Sequence, residues 1–272
     1  MALRYLCLYC CGLLLWSSCS PGQEPQTDKI AVLTFDDAVK SHRTFVAPFL
    51  KEMGFGATFF VTHKWMEDTV HFMNWKDIAE IKQMGFEIGN HTWTHDNFGK
   101  PENATRLAEE LLQVEAELKK AGVPPSVSFA YTGNFFGPEA WQTLQEQGFQ
   151  FARRGMQPEK PYGEIQPGPL YDPQVHHPLL IPTSGDAYPS WNLAHFKKVV
   201  DRAEKGKIVI LQFHGVPDSA HLHVHTPLDS FKVYMNYLKT EGFKVIAMQD
   251  LAAYLPSTLP ADTMLEHRYS GK

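Results

Sequence analysis

Residues 29–37 read Lys-Ile-Ala-Val-Leu-Thr-Phe-Asp-Asp, a run of strand-forming side chains that stops on two carboxylates. Branched and aromatic residues suit a pleated backbone, and a nearly unbroken apolar run marks a strand buried on both faces. Runs of the same kind recur as ATFFVT at 57–62, FEIG at 86–89, SVSFAY at 126–131, FQFAR at 149–153, KIVILQF at 207–213 and FKVIA at 243–247. Between most of them lie segments of helical period, among them Phe45 to Met53, Trp75 to Met84 and Thr105 to Lys120. Gly54, Gly85, Gly122, Gly148 and Gly242 mark helix ends just ahead of the following strands. Seven strand signals alternating with helices predict an α/β fold, a mostly parallel, closed or nearly closed barrel in a single domain. An open doubly wound sheet is the alternative, although no glycine-rich dinucleotide fingerprint follows the first strand.

Outside that rhythm the chain changes character. Residues 155–190 are rich in Pro and Gly, with one short apolar run from Leu179 to Pro182, and read as a long functional loop. Residues 256–272 read as a poorly ordered tail. All four cysteines, Cys7, Cys10, Cys11 and Cys19, fall at the N-terminus, where Arg4 precedes an apolar run from Tyr5 to Trp16. This segment has the build of an export signal over residues 1–19, followed by a polar tether at 20–28. Cys19 after Ser17-Ser18 resembles a lipoprotein cleavage site, and a plain signal peptide is the equal alternative. The expected location is the cell envelope, lipid-anchored, or the exterior, with membrane attachment through the N-terminal lipid only. The domain proper, residues 29–255, has no cysteine for an internal disulfide, so core burial must hold it. A net charge of -5 with scattered basic residues excludes a nucleic-acid stripe and a basic membrane face.

In β/α barrels, chemistry collects at the C-terminal ends of the strands. Those ends carry Asp36-Asp37, then His91 and His95, then His214. The four-residue spacing of His91-Thr92-Trp93-Thr94-His95 puts both imidazoles on one face of a helical turn, within reach of one cation. Asp37 can supply a third ligand, leaving positions open as a catalytic rather than structural site requires. Taken alone, His-x-x-x-His more often means two loop histidines, and an Asp pair after a strand is commonly a turn or helix cap. Their combination shifts the balance, because adjacent side chains at a strand end diverge: one carboxylate can hold a cation while the other faces water as a base. His214 stands as a candidate acid.

At these residues the sequence resembles the polysaccharide deacetylase family (the NodB-homology domain, carbohydrate esterase family 4). Thr34-Phe35-Asp36-Asp37 is similar to the family's first motif, with Ala38 where glycine is usual. ATFFV at 57–61 is similar to its second strand, His91 to His95 to its metal motif, and Leu211-Gln212-Phe213-His214 to its late Leu-x-His motif with one extra residue. The resemblance implies a deformed seven-stranded barrel and amide hydrolysis. It implies Asp36 as base, Asp37, His91 and His95 as ligands of a divalent metal, and His214 as the acid for the departing amine. The metal would be zinc, with cobalt or iron as alternatives. A backbone N–H near Tyr131 would help the cation stabilise the oxyanion.

The third motif departs from this pattern. Phe129-Ala130-Tyr131-Thr132-Gly133-Asn134 lacks the arginine that usually partners the base. Some relatives carry an arginine on the next strand instead, and Phe151-Ala152-Arg153-Arg154 resembles that arrangement, which points to Arg153; a surface arginine pair is the alternative. Asp186 is a loose candidate for the aspartate that accompanies the acid histidine. Among the tryptophans at 65, 75, 93, 141 and 191, Trp93 is the first choice for substrate contact, with core packing as the common use. His221, His223 and His225 read as shaping access. The leading expectation is removal of N-acetyl groups from an amino-sugar polymer or oligosaccharide. The alternatives are another non-peptide C–N bond, an acetyl ester, or a carbohydrate-binding protein that has lost catalysis.

Overall fold

The computed structural model describes residues 29–161 and 165–271, so the export signal, Cys19 and the tether at 20–28 lie outside the described residues. The described strands are β1 (Ile30–Phe35), β2 (Thr58–Val61), β3 (Glu87–Asn90), β4 (Ser128–Ala130), β5 (Phe151–Arg153), β6 (Gly185–Asp186), β7 (Val209–Phe213) and β8 (Lys244–Ile246). Every strand pairing is parallel, in the order β5-β4-β3-β2-β1-β7-β6. The ring closes through the segment leading into β6. Ile181 N–H donates to Ala152 O at 2.9 Å on β5, and Ser184 N–H donates to Ile210 O at 2.8 Å on β7. The result is a deformed (β/α)7 barrel.

Alternation along each strand sorts side chains between two cores. Ala31, Leu33 and Phe35, with Phe59, Val61, Val209, Leu211 and Phe213, face the helical shell. Val32, Phe60, Ala130, Phe151 and Ile210 point inward and fill the barrel. This period of two, with both faces covered, is why the strands read as apolar runs. The shell includes α1 (Ala47–Met53), α2 (Trp75–Gln83), α3 (Pro101–Ala104), α4 (Leu107–Lys120), α5 (Pro138–Glu146), α6 (Leu193–Val200) and α7 (Leu228–Thr240). Local chemistry starts and stops them. Asn74 and Asp77 form a reciprocal capping box at the start of α2, each side chain accepting the other's N–H at 3.0 Å. Gly54, at φ 73°, ends α1 in the left-handed conformation that glycine adopts without penalty.

Two expectations are corrected. The seventh ring strand is Gly185–Asp186, inside the Pro- and Gly-rich stretch that reads as loop; a two-residue strand leaves no periodic signal. The run at 243–247 instead forms β8, which shares a flank of β1: Ile30–Val32 pair with Lys244–Ile246, while Thr34 and Phe35 pair with β2. The second correction concerns the tail. Tyr269 bridges Phe136, Leu265 O accepts Trp141 Nε1–H at 2.8 Å, and Ser270 O accepts from Asn97 Nδ2 at 2.7 Å. Its polar composition hides Met264, Leu265 and Tyr269, which pack on a third core built from α4, α5 and their strands.

Candidate metal centre

Because all ring strands run the same way, Asp36 and Asp37 after β1, His91 and His95 after β3, Arg153 at the end of β5 and His214 after β7 emerge at one end of the barrel. There all of them but Arg153 border a cavity of about 210 Å³. Among the described residues, the non-glycine residues with left-handed backbone are Asp37, Ala38, Thr92, His95 and Asn134, and all belong to this end. Such conformations persist only where surrounding structure enforces them, and they cluster at working sites.

The turn at 91–95 shows the enforcement. It is not helical, contrary to the spacing argument. Glu110 on α4 reaches across and accepts the N–H groups of Trp93 at 2.9 Å and Thr94 at 2.7 Å, plus the Thr94 hydroxyl at 2.9 Å. Thr92 N–H donates to Asn90 Oδ1 at 2.9 Å, and His95 N–H to Thr92 Oγ1 at 3.1 Å. Both imidazoles still converge. His91 Nε2 lies 3.6 Å and His95 Nε2 3.3 Å from Asp37 Oδ1, and one ligand atom from each of the three residues lies within 4.8 Å of the others.

A divalent cation fits this donor set. His91 Nδ1–H donates to Ala130 O at 2.7 Å, which fixes the tautomer and leaves Nε2 as the lone-pair nitrogen. Asp37 Oδ1 is buried without a hydrogen-bond donor. Burial alone would raise the Asp37 carboxyl, but His95, His91 and His214 outweigh it and hold it well below the usual carboxylate range. The same pairing, against burial, raises His95. Two imidazole nitrogens and one carboxylate oxygen are a zinc-type set, and the same ligands suit cobalt or iron.

Asp36 turns the other way. Its Oδ2 accepts Arg153 Nη2–H at 2.5 Å and Gln212 Nε2–H at 3.1 Å, with Arg153 wholly buried. Arg153 Nη1 also reaches Asn134 Oδ1 and Thr183 Oγ1, both at 3.4 Å. Arg153 on β5 thus pairs with Asp36, where the third motif offers no arginine. His214 Nε2 stands 3.9 Å from Asp37 Oδ2, across the cavity from this pair.

Three sequence candidates fall elsewhere. Trp93 turns out of the site and stacks on His63 at 3.7 Å between ring centroids, because the left-handed Thr92 reverses the alternation. Tyr131 is buried in the third core with its hydroxyl donating to Leu179 O at 3.1 Å. Its N–H is taken by Arg153 O at 3.0 Å, and the N–H of Asn134 by Tyr131 O at 2.9 Å. Gly133, between them, lines the cavity. Asp186 is buried behind the site; burial raises its carboxyl while His214 draws it down.

Sequence reasoning missed His42, and it gave Trp65 and His221 no more than a general part in packing or access. His42, wholly buried, donates Nε2–H to His214 O at 3.1 Å, and burial lowers its imidazole to about 4, so it is neutral at pH 7. Trp65 lines the cavity and packs against His95 at 5.0 Å. His221 reaches within 3.9 Å of Asp37 Oδ2, its imidazole raised by Asp218. A signal was available in Asp218-x-x-His221, a spacing suited to an Asx turn.

Comparison with known proteins agrees with this fold. Residues 23–152 match the polysaccharide deacetylase family. The fold is similar to a family 4 acetyl xylan esterase from Clostridium thermocellum, solved with a cobalt ion, at 18% identity and TM-score 0.57, covering 84% of this chain and 93% of that one. It is also similar to a CE4-family pseudoenzyme from Bacillus anthracis at 18% identity and TM-score 0.55, covering 85% and 68%. The CE4 domain of a multidomain xylanase from the hindgut metagenome of Trinervitermes trinervoides gives 15% identity and TM-score 0.55, covering 84% and 91%. No curated protein matches the sequence. Over residues 23–152 this chain is thus similar to the polysaccharide deacetylase family, and its barrel has the fold of the CE4 neighbours.

Proposed function

We propose that this protein is a divalent-metal-dependent hydrolase that removes N-acetyl groups from an amino-sugar polymer or oligosaccharide. The observation that carries the reading is the divergence of two adjacent buried carboxylates, Asp37 toward His91 and His95 and Asp36 toward Arg153. When bound by Asp37, His91 and His95, a cation supplies Lewis-acid polarisation of the acetyl carbonyl and activates water near neutral pH. Asp36, fixed by Arg153 and Gln212, takes the proton from the attacking water. Arg153 supplies the counter-charge that holds the carboxylate in place. His214 delivers a proton to the departing amine from the opposite side, its main chain held by His42. The N–H of Gly133 is the backbone donor for the oxyanion in place of Tyr131. Asp186 acts on His214 through space.

The related acetyl xylan esterase makes an O-acetyl ester the second reading, and the related pseudoenzyme a third. The complete set Asp36, Asp37, His91, His95, His214 with Arg153 favours catalysis over the third. Export through residues 1–19, with Cys19 as the lipid-bearing residue, belongs to the same proposal and is tested by labelling with radioactive palmitate. Full-length protein, stripped with chelator and reloaded with zinc or cobalt, should release acetate from N-acetylglucosamine oligomers. Release from O-acetylated xylo-oligomers alone would select the ester reading. Stoichiometric metal binding with no release from either would select the pseudoenzyme.

A further inference from the structure

The Asp37 carboxylate has two faces. Oδ1 meets His91 and His95, while Oδ2 meets His214 and His221, each at 3.9 Å. Of these four imidazoles, the proposed reaction uses three. The loop carrying the fourth is built to put it there. Thr226 N–H closes the loop on Gly215 O at 3.0 Å, and Val216 N–H is pinned by Ser41 Oγ at 2.8 Å. Inside it, Asp218 Oδ1 accepts the N–H groups of Ala220 at 2.9 Å and His221 at 2.8 Å. A Cβ on Gly215 would lie 2.5 Å from Asp218 Cβ, so the fold-back leaves no room for a side chain. The His221 ring is then bracketed by Trp65 at 4.8 Å and Phe72 at 5.4 Å.

This ring has one committed nitrogen. Nδ1 stands 3.4 Å from Asp218 Oδ2, an atom buried with no other hydrogen-bond partner among the described residues, and it is also the ring atom 3.9 Å from Asp37 Oδ2. Nε2, on the other edge of the imidazole, has no hydrogen-bond partner among the described residues, and His221 lines the cavity. We propose that His221 is a specificity-determining contact whose Nε2 hydrogen-bonds a ring hydroxyl of the sugar carrying the acetyl group. A hydroxyl both donates and accepts, so it satisfies the imidazole as donor or acceptor. This inference rests on the deacetylase reading for its substrate class. A site that hydrogen-bonds a substrate hydroxyl discriminates against compounds that lack it.

His221→Phe keeps the aromatic packing and removes both nitrogens; Asp218→Asn loosens the Nδ1 anchor. With zinc-loaded protein, His221→Phe should lower kcat/KM on N-acetylglucosamine oligomers about ten- to a hundredfold. Activity on an aryl acetate, which has no sugar hydroxyl, should stay within about threefold. Asp218→Asn should move both in the same direction by less. Zinc affinity, followed by competition with a chromogenic chelator, should be unchanged in His221→Phe. Parallel losses on both substrates, no loss on either, or weakened zinc binding would each overturn the proposal. If the wild type releases no acetate from any compound, the deacetylase reading fails by itself. The contact is then judged by calorimetric binding of the oligomer, where equal affinity of wild type and His221→Phe, or no binding by either, overturns it.

Discussion

Two sets of buried carboxylates stand at opposite ends of the same barrel and behave in opposite ways. At the N-terminal end, Glu87 opens β3 and takes hydroxyl donors from Thr58 and Ser128, both at 2.6 Å, and the Gln249 N–H at 2.9 Å. Neither oxygen lacks a donor, Glu87 forms no ion pair among the described residues, and burial pushes the carboxyl up. At the C-terminal end, Asp36 and Asp37 are almost as buried, yet each keeps an oxygen without a hydrogen-bond donor. Their partners are a guanidinium and imidazoles, and Asp37 is driven down. Burial therefore does not separate a structural carboxylate from a functional one. What separates them is whether neutral donors saturate the group or titratable partners leave it a lone pair facing a cavity.

The largest test of that contrast is Asp37→Ala beside Glu87→Gln. Removing Asp37 takes away the carboxylate ligand, and kcat/KM should fall on the order of 10⁴-fold, the rate equivalent of the several kcal/mol a cation contributes to a developing charge. Glu87→Gln should leave kcat/KM within about threefold. Metal titration adds a pH arm. His95 titrates above its usual value because Asp37 overcomes the burial penalty, so protons compete for its nitrogen. Affinity should weaken as pH falls through that elevated titration. A pH-independent affinity would remove His95 from the ligand set.

Arg153→Ala comes next. It leaves Asp36 buried without its counter-charge, which typically destabilises by about 3–5 kcal/mol. Denaturant unfolding measures this directly. kcat/KM should fall as well, because the carboxylate has lost the guanidinium 2.5 Å away that positions it. A stable variant with unchanged kcat/KM would mean that the pair is structural, like Glu87.

A smaller effect comes from Glu87 itself. Its folded pKa lies above the unfolded value, so its stabilising contribution is fully present below the ordinary glutamate range and is lost as pH rises through the folded value. Glu87→Gln has no such proton. As pH rises above the ordinary glutamate range, the wild type should therefore lose stability relative to the variant. Parallel curves from denaturant midpoints would show that the hydroxyl donors already offset the buried charge.

How far these ends can be read from sequence follows from how local each feature is. Asp36-Asp37 and His91-x-x-x-His95 are contiguous, and their strands are long enough to show a period, so residues and barrel are both legible. Arg153 is legible only by resemblance, because its partner lies on a strand distant in the chain. The helical spacing argument brought the two histidines together through the wrong geometry: Glu110, on another element, holds the turn. Trp93 failed because one left-handed residue flips the side that follows. Asp186 sits on a strand too short to carry a pattern, and the place of His221 depends on a loop folding back onto Asp37, which composition does not encode.

The smallest expected effect is the most local, and it asks whether the strain at the site end is held for function. Ala38 is buried at φ 53°, a conformation that costs an L-residue roughly 1–2 kcal/mol. Ala38→Gly removes that strain but gives up a packed methyl and adds about 0.4–1 kcal/mol of unfolded-state entropy. The net should lie within about 1 kcal/mol of zero, on the stabilising side. Gly54→Ala is the control: φ is 73°, nothing lies within 4 Å of an added Cβ, and the residue is far from the cavity. That change should simply destabilise by about 1 kcal/mol, with activity intact. If Ala38→Gly gains stability while metal affinity or kcat/KM falls, the strained Asp37–Ala38 turn aims the carboxylate at the two imidazoles, and stability is traded for function there. If stability falls instead, the buried methyl outweighs the backbone term, and the left-handed turn at Ala38 is a packing compromise of the kind found anywhere in the barrel.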